Sequence, residues 1–305
     1  MADEIATAPE RVRDKWNKTL EKQVRHPSRK FSWHNPIVQN FIRDHYLDGF
    51  SVSNYLVEHL GGRRIRNALD VAGGLGDQAI TFHKLLDVER FDVLDISTVA
   101  VSEGQKRADA EGLNVHYGVS DLNTDPLPDT EYDLIIASGA LHHIENLEHL
   151  FSEINQRLAP GGVFFANDYM GPSYMQWLPK QLEVMNSVVR ALPDDLNRVA
   201  HRAGAVVKDV TPIPLDIFAR HDPSEGVRAA EIFEVMKDHL DIHRIVPFGQ
   251  TIAYEVLRGR IGNFDDDNPK DQAILSLICM LEKELIEAGV LQSDFNLVIA
   301  GPKAA

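Results

Sequence analysis

Short apolar runs alternate with amphipathic stretches through the middle of this chain of 305 residues. Five strand-like runs occur between residues 64 and 170, and most of them are followed by a helical pattern of about 10–15 residues. Two strands separated by a helix pair in parallel, because the helix must cross over before the next strand can join the sheet. The alternation therefore predicts an α/β fold built on a parallel sheet.

The alternation stops at residue 170 and resumes close to the C-terminus. Two further strand-like runs there, "IHRIVPFG" and "FNLVIAG", bring the predicted sheet to seven strands. The predicted fold class is α/β: a Rossmann-like, doubly wound, mostly parallel seven-stranded sheet with N-terminal helices and a helical lid insertion. The predicted parts are an N-terminal helical cap, a cofactor-binding core, a helical lid that binds the substrate, and C-terminal strands with a helix that complete the sheet: residues 1–62, 63–170, 171–240 and 241–305.

Composition disfavours several classes of partner. The formal net charge is −15, and the most basic segment, residues 11–30, is interleaved with acids and is read as a solvated helix face. Nucleic acid is therefore not expected as a partner. No apolar run reaches the roughly 18 residues that cross a bilayer, and the polar start is unlike a signal peptide. With the single cysteine, Cys279, these features predict a cytoplasmic protein that binds no membrane, and a homodimer is left open.

The stretch "LDVAGGLGD" lies where the first predicted strand meets the first helix of the core. Ligands of parallel sheets bind at this edge, because glycines there let a ligand approach bare backbone. Gly74, Gly76 and Ala79 match the dinucleotide pattern G-x-G-x-x-A. Asp95, at the end of the second strand, stands where an acid would bind ribose hydroxyls. Taken alone, this pattern predicts a nicotinamide dinucleotide.

The acids around the same loop favour a different ligand. Asp70 and Asp77 flank the turn and would repel a pyrophosphate, whereas they suit an ammonium or sulfonium group. Asp121 ends the third strand, where it could accept a hydrogen bond from an adenine amine. The fourth strand ends in "SGALHHI". These features together indicate a ligand that carries adenosine and a cationic amino-acid part.

With these features the sequence resembles the class I S-adenosylmethionine-dependent methyltransferases. The resemblance runs from about Asp70 to Met170, returns at "FNLVIAGPK", and covers roughly half of the chain. The family's glycine motif is an acid, any residue, and then G-x-G-x-G, and it matches residues 70–76 with Ala72 in place of the first glycine. The resemblance implies a Rossmann-like fold, S-adenosyl-L-methionine as cofactor and S-adenosyl-L-homocysteine as product.

The same resemblance implies which residues touch the cofactor. The glycine loop would face the methionine part, the second strand's end the ribose, the third strand's end the adenine, and the fourth strand's end the sulfonium. The implied cofactor residues are Asp70, Ala72, Gly73, Gly74, Gly76, Asp95, Ser97, Asp121, Leu122, Ser138 and Gly139. The methyl group of Ala72 is tolerated there if its backbone stays extended and its side chain points away from the ligand.

The methyl acceptor is less constrained by the sequence. Methyl transfer is an in-line displacement in which positioning supplies much of the catalysis, but a hydroxyl acceptor also needs a base, typically histidine. His142 and His143 follow the fourth strand, where one such histidine commonly packs under the cofactor in this family. Asp168 ends the fifth strand, and His221 and Glu225 begin a helix of the predicted lid. The candidate catalytic residues are His142, His143, His221 and Asp168.

Two other groups of residues receive non-catalytic interpretations. His142, His143 and His149 have a spacing that a metal could use, but no carboxylate cluster joins them and no metal is expected. Phe31, Trp33 and Tyr46, in the predicted cap, are expected to pack in the core rather than to stack on the cofactor.

The sequence thus predicts methyl transfer from S-adenosylmethionine to a small molecule, most readily to a hydroxyl of a sugar or secondary metabolite. Transfer to the nitrogen of a small amine is one alternative. An NAD-dependent oxidoreductase and a non-catalytic cofactor-binding protein are the others.

Overall fold

A computed structural model describes residues 8–25 and 31–304 of the chain. The first seven residues of the polar start, and residues 26–30 of the basic segment, lie outside this described part. Its helices are α1 (Ala8–Arg25), α2 (Pro36–Tyr46), α3 (Val52–Leu60), α4 (Asp77–Leu86), α5 (Thr98–Ala110), α6 (Leu147–Arg157), α7 (Pro179–Ala191), α8 (Leu215–His221), α9 (Ile232–His239), α10 (Ala253–Leu257) and α11 (Pro269–Glu287). Its strands are β1 (Asn67–Val71), β2 (Arg90–Asp95), β3 (Val115–Val119), β4 (Tyr132–Ser138), β5 (Leu158–Tyr169), β6 (Arg198–Val199), β7 (Ala205–Val206), β8 (Leu240–Pro247) and β9 (Phe295–Pro302).

Seven strands form the central sheet in the order β3-β2-β1-β4-β5-β9-β8. The five strands from β1 to β5 pair in parallel, while β9 runs antiparallel to both β5 and β8. The prediction of a mostly parallel, doubly wound seven-stranded sheet is confirmed. The strand order reverses between β1 and β4, so the chain leaves a crevice at their carboxyl ends, where ligands of such sheets bind.

The interior of the sheet is apolar on both faces, as expected for strands covered by helices on each side. In β4, Leu134, Ile135, Ile136 and Ala137 are each fully buried. Burial of such side chains supplies the main stabilisation of the domain, at about 1.5–3 kcal/mol for each large residue. The polar residues that matter for ligand binding lie just beyond this apolar layer, at the strand ends.

Two local features depart from a simple alternation of strands and helices. Helix α6 ends at Arg157, and the segment "LAPGG" that follows it belongs to β5. Gly161 has φ of 73° within it, and the β4–β5 register shifts between Tyr132 and Leu134. Residues 171–240 contain helices as expected, but also the two-stranded ribbon of β6 and β7, for which the sequence carried no turn signal strong enough to notice.

Of the helices in the described ranges, none combines the length and apolar character that a membrane crossing requires.

Candidate active site

The loop between β1 and α4 turns sharply at the carboxyl edge of the sheet. Gly74 and Gly76 adopt left-handed backbone conformations, with φ of 55° and 74°, which glycine accepts without steric cost. A β-carbon on Gly76 would lie 1.8 Å from the hydroxyl oxygen of Tyr117 on β3. The last glycine of the motif is therefore required by packing as well as by backbone conformation.

Ala72 does not have the extended backbone under which its methyl group was expected to be tolerated. Its φ is 53°, in the left-handed region, where an L-residue pays roughly 1–2 kcal/mol because its β-carbon crowds the following carbonyl oxygen. The expectation for this residue was wrong, because the loop geometry belongs to a position at which glycine is usual. Ala72 therefore introduces strain directly beside the ligand cavity.

This strain predicts a stability difference between two variants of Ala72. Ala72→Gly is expected to raise the free energy of unfolding by up to about 1 kcal/mol, since the strain relieved exceeds the entropy cost of glycine. Ala72→Val is expected to lower it by about 1–3 kcal/mol, because a β-branched residue tolerates this conformation poorly. Urea unfolding of both variants without cofactor checks the order, and a Val variant as stable as the Gly variant would contradict it.

Asp95 lies at the carboxyl end of β2 and fastens the glycine loop to the sheet. Its Oδ2 accepts a hydrogen bond from the Gly74 N–H at 2.9 Å, and its Oδ1 accepts one from the Ser97 N–H at 2.8 Å. Burial raises the pKa of the Asp95 carboxyl, although the two hydrogen bonds act in the opposite direction. The carboxylate also borders the cavity beside the loop, so it can meet a ligand hydroxyl there.

A first cavity of about 330 Å³ opens above the glycine loop. Most of the residues that were predicted to contact the cofactor line it: Ala72, Gly73, Gly74, Asp95, Asp121, Leu122, Ser138 and Gly139. They come from the ends of β1, β2 and β4 and from the loop after β3, which the sheet order brings to one edge. The cavity extends along the sheet edge, as an elongated nucleoside-containing ligand requires.

Three of the predicted cofactor residues do not line this cavity. Gly76 packs on Tyr117, and Ser97 uses its hydroxyl to accept from the Ala100 N–H at 3.1 Å, which caps α5. Asp70 is buried under the loop, and its carboxylate oxygens have no hydrogen-bond partner among the described residues. Burial, followed by the charges of Asp95 and Asp77, raises the pKa of Asp70 well above its usual value. The Asp70 side chain therefore lies beneath the glycine loop and does not border the cavity.

Asp77 was counted in the sequence as a free negative charge. It does line the first cavity, but its Oδ1 lies 2.6 Å from a guanidinium nitrogen of Arg107 on α5. The same guanidinium donates to the carbonyl oxygen of Leu75 at 3.0 Å. Part of the charge that was expected to select a cationic ligand is thus compensated within the protein.

Helix α1 covers the first cavity, and this position was not predicted from the sequence. Val12, Trp16 and Leu20 line the cavity from one face of α1. The Oδ1 atom of Asn17 accepts a hydrogen bond from the Ser97 hydroxyl at 2.7 Å and so ties α1 to α5. The segment was expected to be a solvated helix face, but the four-residue spacing of its three apolar side chains was a signal of a covered face.

A second cavity, of about 740 Å³, adjoins the first. Several residues line both of them: Trp16, Gln78, Ser138, Gly139 and His143. His142, Asn167, Tyr169 and Glu225 border only the second. The two cavities therefore meet at the carboxyl end of β4, where the resemblance implied the reactive sulfonium.

A buried pair of His142 and Asp168 stands at this junction. The Nδ1 atom of His142 lies 2.5 Å from Oδ1 of Asp168, whose Oδ2 accepts from the N–H groups of Ala140 and Leu141, each at 2.7 Å. Burial lowers the pKa of His142, but the charge of Asp168 and its hydrogen bond outweigh it, so the pKa lies above its ordinary value. The pair holds Nδ1–H toward the carboxylate and leaves Nε2 as the proton-accepting atom.

His143 has a different environment from its neighbour. Its ring packs edge-on against Trp16 with centroids 4.9 Å apart, and its Nδ1 lies 3.3 Å from the Ser224 hydroxyl oxygen. Burial, and then the charge of His142, places the pKa of His143 well below its ordinary value. His143 packs between the two cavities, and burial favours the neutral form of its ring.

Residues after α8 supply the far side of the junction. Oε1 of Glu225 lies 3.7 Å from Nε2 of His142, and burial raises the pKa of Glu225. Lys15 of α1 forms an ion pair with Asp222 in the same region. His221 ends α8 but is not among the residues that line either cavity. Of the two candidates that the sequence placed here, Glu225 reaches the junction and His221 does not.

The three histidines whose spacing a metal could use, His142, His143 and His149, do not come together in the structure. His149 turns away and its Nε2 lies 3.0 Å from the carbonyl oxygen of Asp125. The side chains that do converge are His142, His143 and Glu225, whose ligand atoms lie within 4.8 Å of one another. Asp168 lies at the other ring nitrogen of His142, 2.5 Å from Nδ1.

Comparison with known proteins finds similarity over the predicted cofactor-binding core. Residues 68–162 match a protein family described as a methyltransferase domain. A ubiquinone/menaquinone biosynthesis C-methyltransferase of Azotobacter vinelandii is 30% identical over 123 residues, which cover 39% of this chain and 48% of that protein. The corresponding protein of Dinoroseobacter shibae is 30% identical over 109 residues, or 35% and 44% of the two chains. The chain thus spans about half the length of the curated relatives it matches.

Solved structures extend the likeness over the whole chain. Geranyl diphosphate C-methyltransferase from Streptomyces coelicolor A3(2) aligns over 98% of this chain and 99% of its own, with a TM-score of 0.55 and 16% identity. Phosphoethanolamine N-methyltransferase 2 of Haemonchus contortus aligns over 99% and 62%, with a TM-score of 0.53 and 16% identity. At these identities the likeness shows a shared fold. The sheet order, the glycine-loop cavity and the family match together identify a class I S-adenosylmethionine-dependent methyltransferase domain in this chain, with residues 68–162 at its centre.

Proposed function

We propose that this protein transfers a methyl group from S-adenosylmethionine to a hydroxyl of a small-molecule acceptor. The observation that carries the proposal is the junction at the end of β4, where a cofactor-sized cavity meets a larger one beside the His142–Asp168 pair. A methyl donor in the first cavity and an acceptor in the second would meet there. The family match over residues 68–162 gives no support to the nicotinamide alternative.

The cofactor would lie along the sheet edge in the orientation that the family resemblance implies. Asp121 and Leu122 would frame the adenine, and Asp95 would accept hydrogen bonds from the ribose hydroxyls. The glycine loop would receive the methionine part on its bare backbone, and Ser138 with Gly139 would flank the sulfonium. All of these residues line the first cavity, which supports the assignment.

The reaction needs one proton acceptor. The acceptor oxygen attacks the methyl carbon, the oxygen–carbon bond forms, and the carbon–sulfur bond breaks with its electron pair moving to sulfur. The hydroxyl proton goes to Nε2 of His142, and Asp168 stabilises the imidazolium that results. Such general-base catalysis contributes about 100- to 10,000-fold, and positioning between the two cavities supplies the remainder.

Residues 171–240 would form the acceptor wall, as the predicted lid. Met175 and Glu225, from this segment, border the second cavity. The Val227 N–H donates to the carbonyl oxygen of His142 at 3.2 Å, so the segment is attached directly to the proposed base. Its position supports a role in selecting the acceptor.

Transfer to an amine is the second candidate, favoured by Glu225. A carboxylate that borders an aromatic cavity can attract a substrate ammonium, which His142 would then deprotonate before attack. Incubation of the protein with methyl-labelled S-adenosylmethionine and separate hydroxyl and amine panels distinguishes the two. Label in ether products supports the proposal, label in amines supports the second candidate, and cofactor binding without transfer to any metabolite indicates a non-catalytic protein.

The tie between α1 and α5 predicts a change in cofactor affinity. Asn17→Ala removes the acceptor of the Ser97 hydroxyl, and with it the longer contacts from Thr98 and Val99, but leaves the Ser97 hydroxyl capping α5. The cover over the cofactor cavity should loosen, and the affinity for S-adenosylhomocysteine should fall about 3- to 10-fold, as expected when the net contribution comes mainly from one hydrogen bond. Calorimetry checks this, with exposed Lys18→Ala on the same helix as control. Equal losses in the two variants would show that the effect is not specific to the tie.

A further inference from the structure

The second cavity has an aromatic lining that extends away from the proposed base. The ring of Tyr169 packs edge-on to His142 with centroids 6.2 Å apart, and the ring of Phe295 lies 5.4 Å from Tyr169. Trp33 and Tyr254 follow, at 5.7 Å and 5.4 Å from Phe295. All five side chains border the cavity. Aromatic side chains therefore form a continuous series along one side of the cavity, from His142 to its far end.

The far end of this lining is built from stacked rings. Phe31, Trp33 and Tyr254 are nearly parallel, with interplanar angles of 15°, 9° and 8°. Their centroids are 4.7 Å, 5.2 Å and 5.9 Å apart. We call these three residues the aromatic wall. Aromatic rings prefer offset-stacked or edge-to-face neighbours, so a planar ring in the cavity gains contacts here that a sugar, with hydroxyls on every side, does not.

The charged groups at the reacting end are already partnered within the protein. Asp168 accepts from two backbone N–H groups and lies against His142. Lys15 is paired with Asp222, and Glu225 faces His142 at 3.7 Å. Asp168 and Asp222 therefore have protein partners, and burial raises the pKa of Glu225, which favours its neutral form. A neutral acceptor fits this arrangement better than an ammonium ion.

We propose that the acceptor is a neutral aromatic alcohol of the phenol class, which stacks on the aromatic wall and presents its hydroxyl to His142. The proposal rests on the methyltransferase function proposed above and names its substrate class. A phenolic hydroxyl has a pKa near 10, as in tyrosine, so its proton passes to an imidazole more readily than that of an aliphatic alcohol. The product is the aryl methyl ether, with the hydroxyl proton on His142 and S-adenosylhomocysteine as the leaving group.

A matched set of acceptors tests the substrate class. The purified full-length protein is incubated with methyl-labelled S-adenosylmethionine and, separately, with 1-naphthol, its fully saturated counterpart decahydro-1-naphthol, methyl glucoside and 1-naphthylmethylamine. Naphthol is expected to be methylated with a kcat/KM at least 100-fold above that of the saturated alcohol and of the glucoside. Comparable rates for naphthol and either aliphatic alcohol would overturn the phenol assignment, as would preference for the amine.

Variants of the aromatic wall test the stacking. Trp33→Leu keeps an apolar side chain but removes the ring, and it is expected to raise KM for naphthol at least 10-fold. Trp33→Phe restores a ring and should recover most of that loss. A merely structural role of Trp33 would lower kcat and thermal stability without this difference between leucine and phenylalanine. An unchanged KM in Trp33→Leu would exclude the wall as the acceptor surface.

Failure of the substrate class and failure of the proposed function give different results. Calorimetry with S-adenosylhomocysteine on the same samples measures cofactor binding separately from methyl transfer. Changes in the aromatic wall should leave this binding intact, because the wall residues do not line the first cavity. Cofactor binding with no label in naphthol overturns the phenol class while leaving methyl transfer intact as the proposed function. Absence of cofactor binding overturns both.

Discussion

Replacement of Asp168 by asparagine is expected to lower the rate of methyl transfer about 100- to 10,000-fold, the contribution of a general base. The asparagine oxygen can still accept from the N–H groups of Ala140 and Leu141, as Oδ2 of Asp168 does. Its amide nitrogen then faces Nδ1 of His142, where the carboxylate stood, and it can only donate. His142 must turn its proton to Nε2, and the atom that should accept the substrate proton becomes a donor.

The measurement is single-turnover methyl transfer with the cofactor saturating. His142→Gln removes the imidazole and should lose a similar factor, and the two changes together should cost no more than either alone. His221→Asn, which replaces a candidate that lines neither cavity, is the control and should retain activity. Full activity in Asp168→Asn, with the protein folded and binding cofactor, would exclude the pair as the base.

The pH dependence gives an independent check of the same pair. Transfer requires neutral His142, which predominates above its pKa, so kcat/KM should fall as pH decreases through that value. Asp168 holds the pKa above the ordinary value of a histidine. Without that carboxylate the pKa of His142 is lower. The residual kcat/KM of Asp168→Asn should therefore begin to fall at a lower pH than kcat/KM of the unsubstituted protein. A midpoint that does not move would assign the titration to another group.

Replacement of Asp95 by alanine is expected to weaken the binding of S-adenosylhomocysteine at least about 100-fold. The proposed ribose hydrogen bonds go to a charged acceptor, and each such bond contributes about 1.5–3 kcal/mol. The change also frees the N–H groups of Gly74 and Ser97, which the carboxylate holds at 2.9 Å and 2.8 Å. The loop is then less fixed in the shape that receives the methionine part.

Calorimetry on a graded set of variants separates these effects. Asp95→Asn keeps one acceptor oxygen and should lose less affinity than the alanine variant. Asp77→Asn also changes an acid of the first cavity, but one that is paired with Arg107, and it should lose less than either. Thermal unfolding without ligand shows whether the loop change spreads into the sheet. Unchanged affinity in Asp95→Ala would remove the ribose assignment.

The sheet could be predicted because its signal is local. Apolar runs such as residues 132–141 can be buried on both faces only within a sheet covered by helices, and the intervening helices dictate parallel pairing. The resemblance to a known family then placed the ends of β1, β2 and β4 around one ligand. Eight residues of that prediction line a single cavity.

Other features depend on contacts between residues far apart in the sequence. The apolar spacing in α1 shows that one face of the helix is covered, but it does not show what covers that face. Only the fold brings α1 against Ser97 and the edge of the first cavity. The left-handed backbone of Ala72 could not be predicted from its letter, because alanine tolerates extended and helical conformations equally well. The backbone there is set by the loop that closes β1 onto α4.

The sequence by itself determined the fold class and the kind of ligand, since hydrophobic periodicity and the glycine–acid spacing are properties of neighbouring residues. Only the tertiary structure decided which of the two histidines is paired with a carboxylate. His142 and His143 are adjacent in sequence, yet Asp168 supports only the first, while Trp16 and Ser224 pack beside the second. The aromatic wall likewise joins residues 31, 33 and 254. Their proximity arises because β9 lies in the sheet beside β5 and brings the C-terminal part of the chain to the same edge as the cofactor loop.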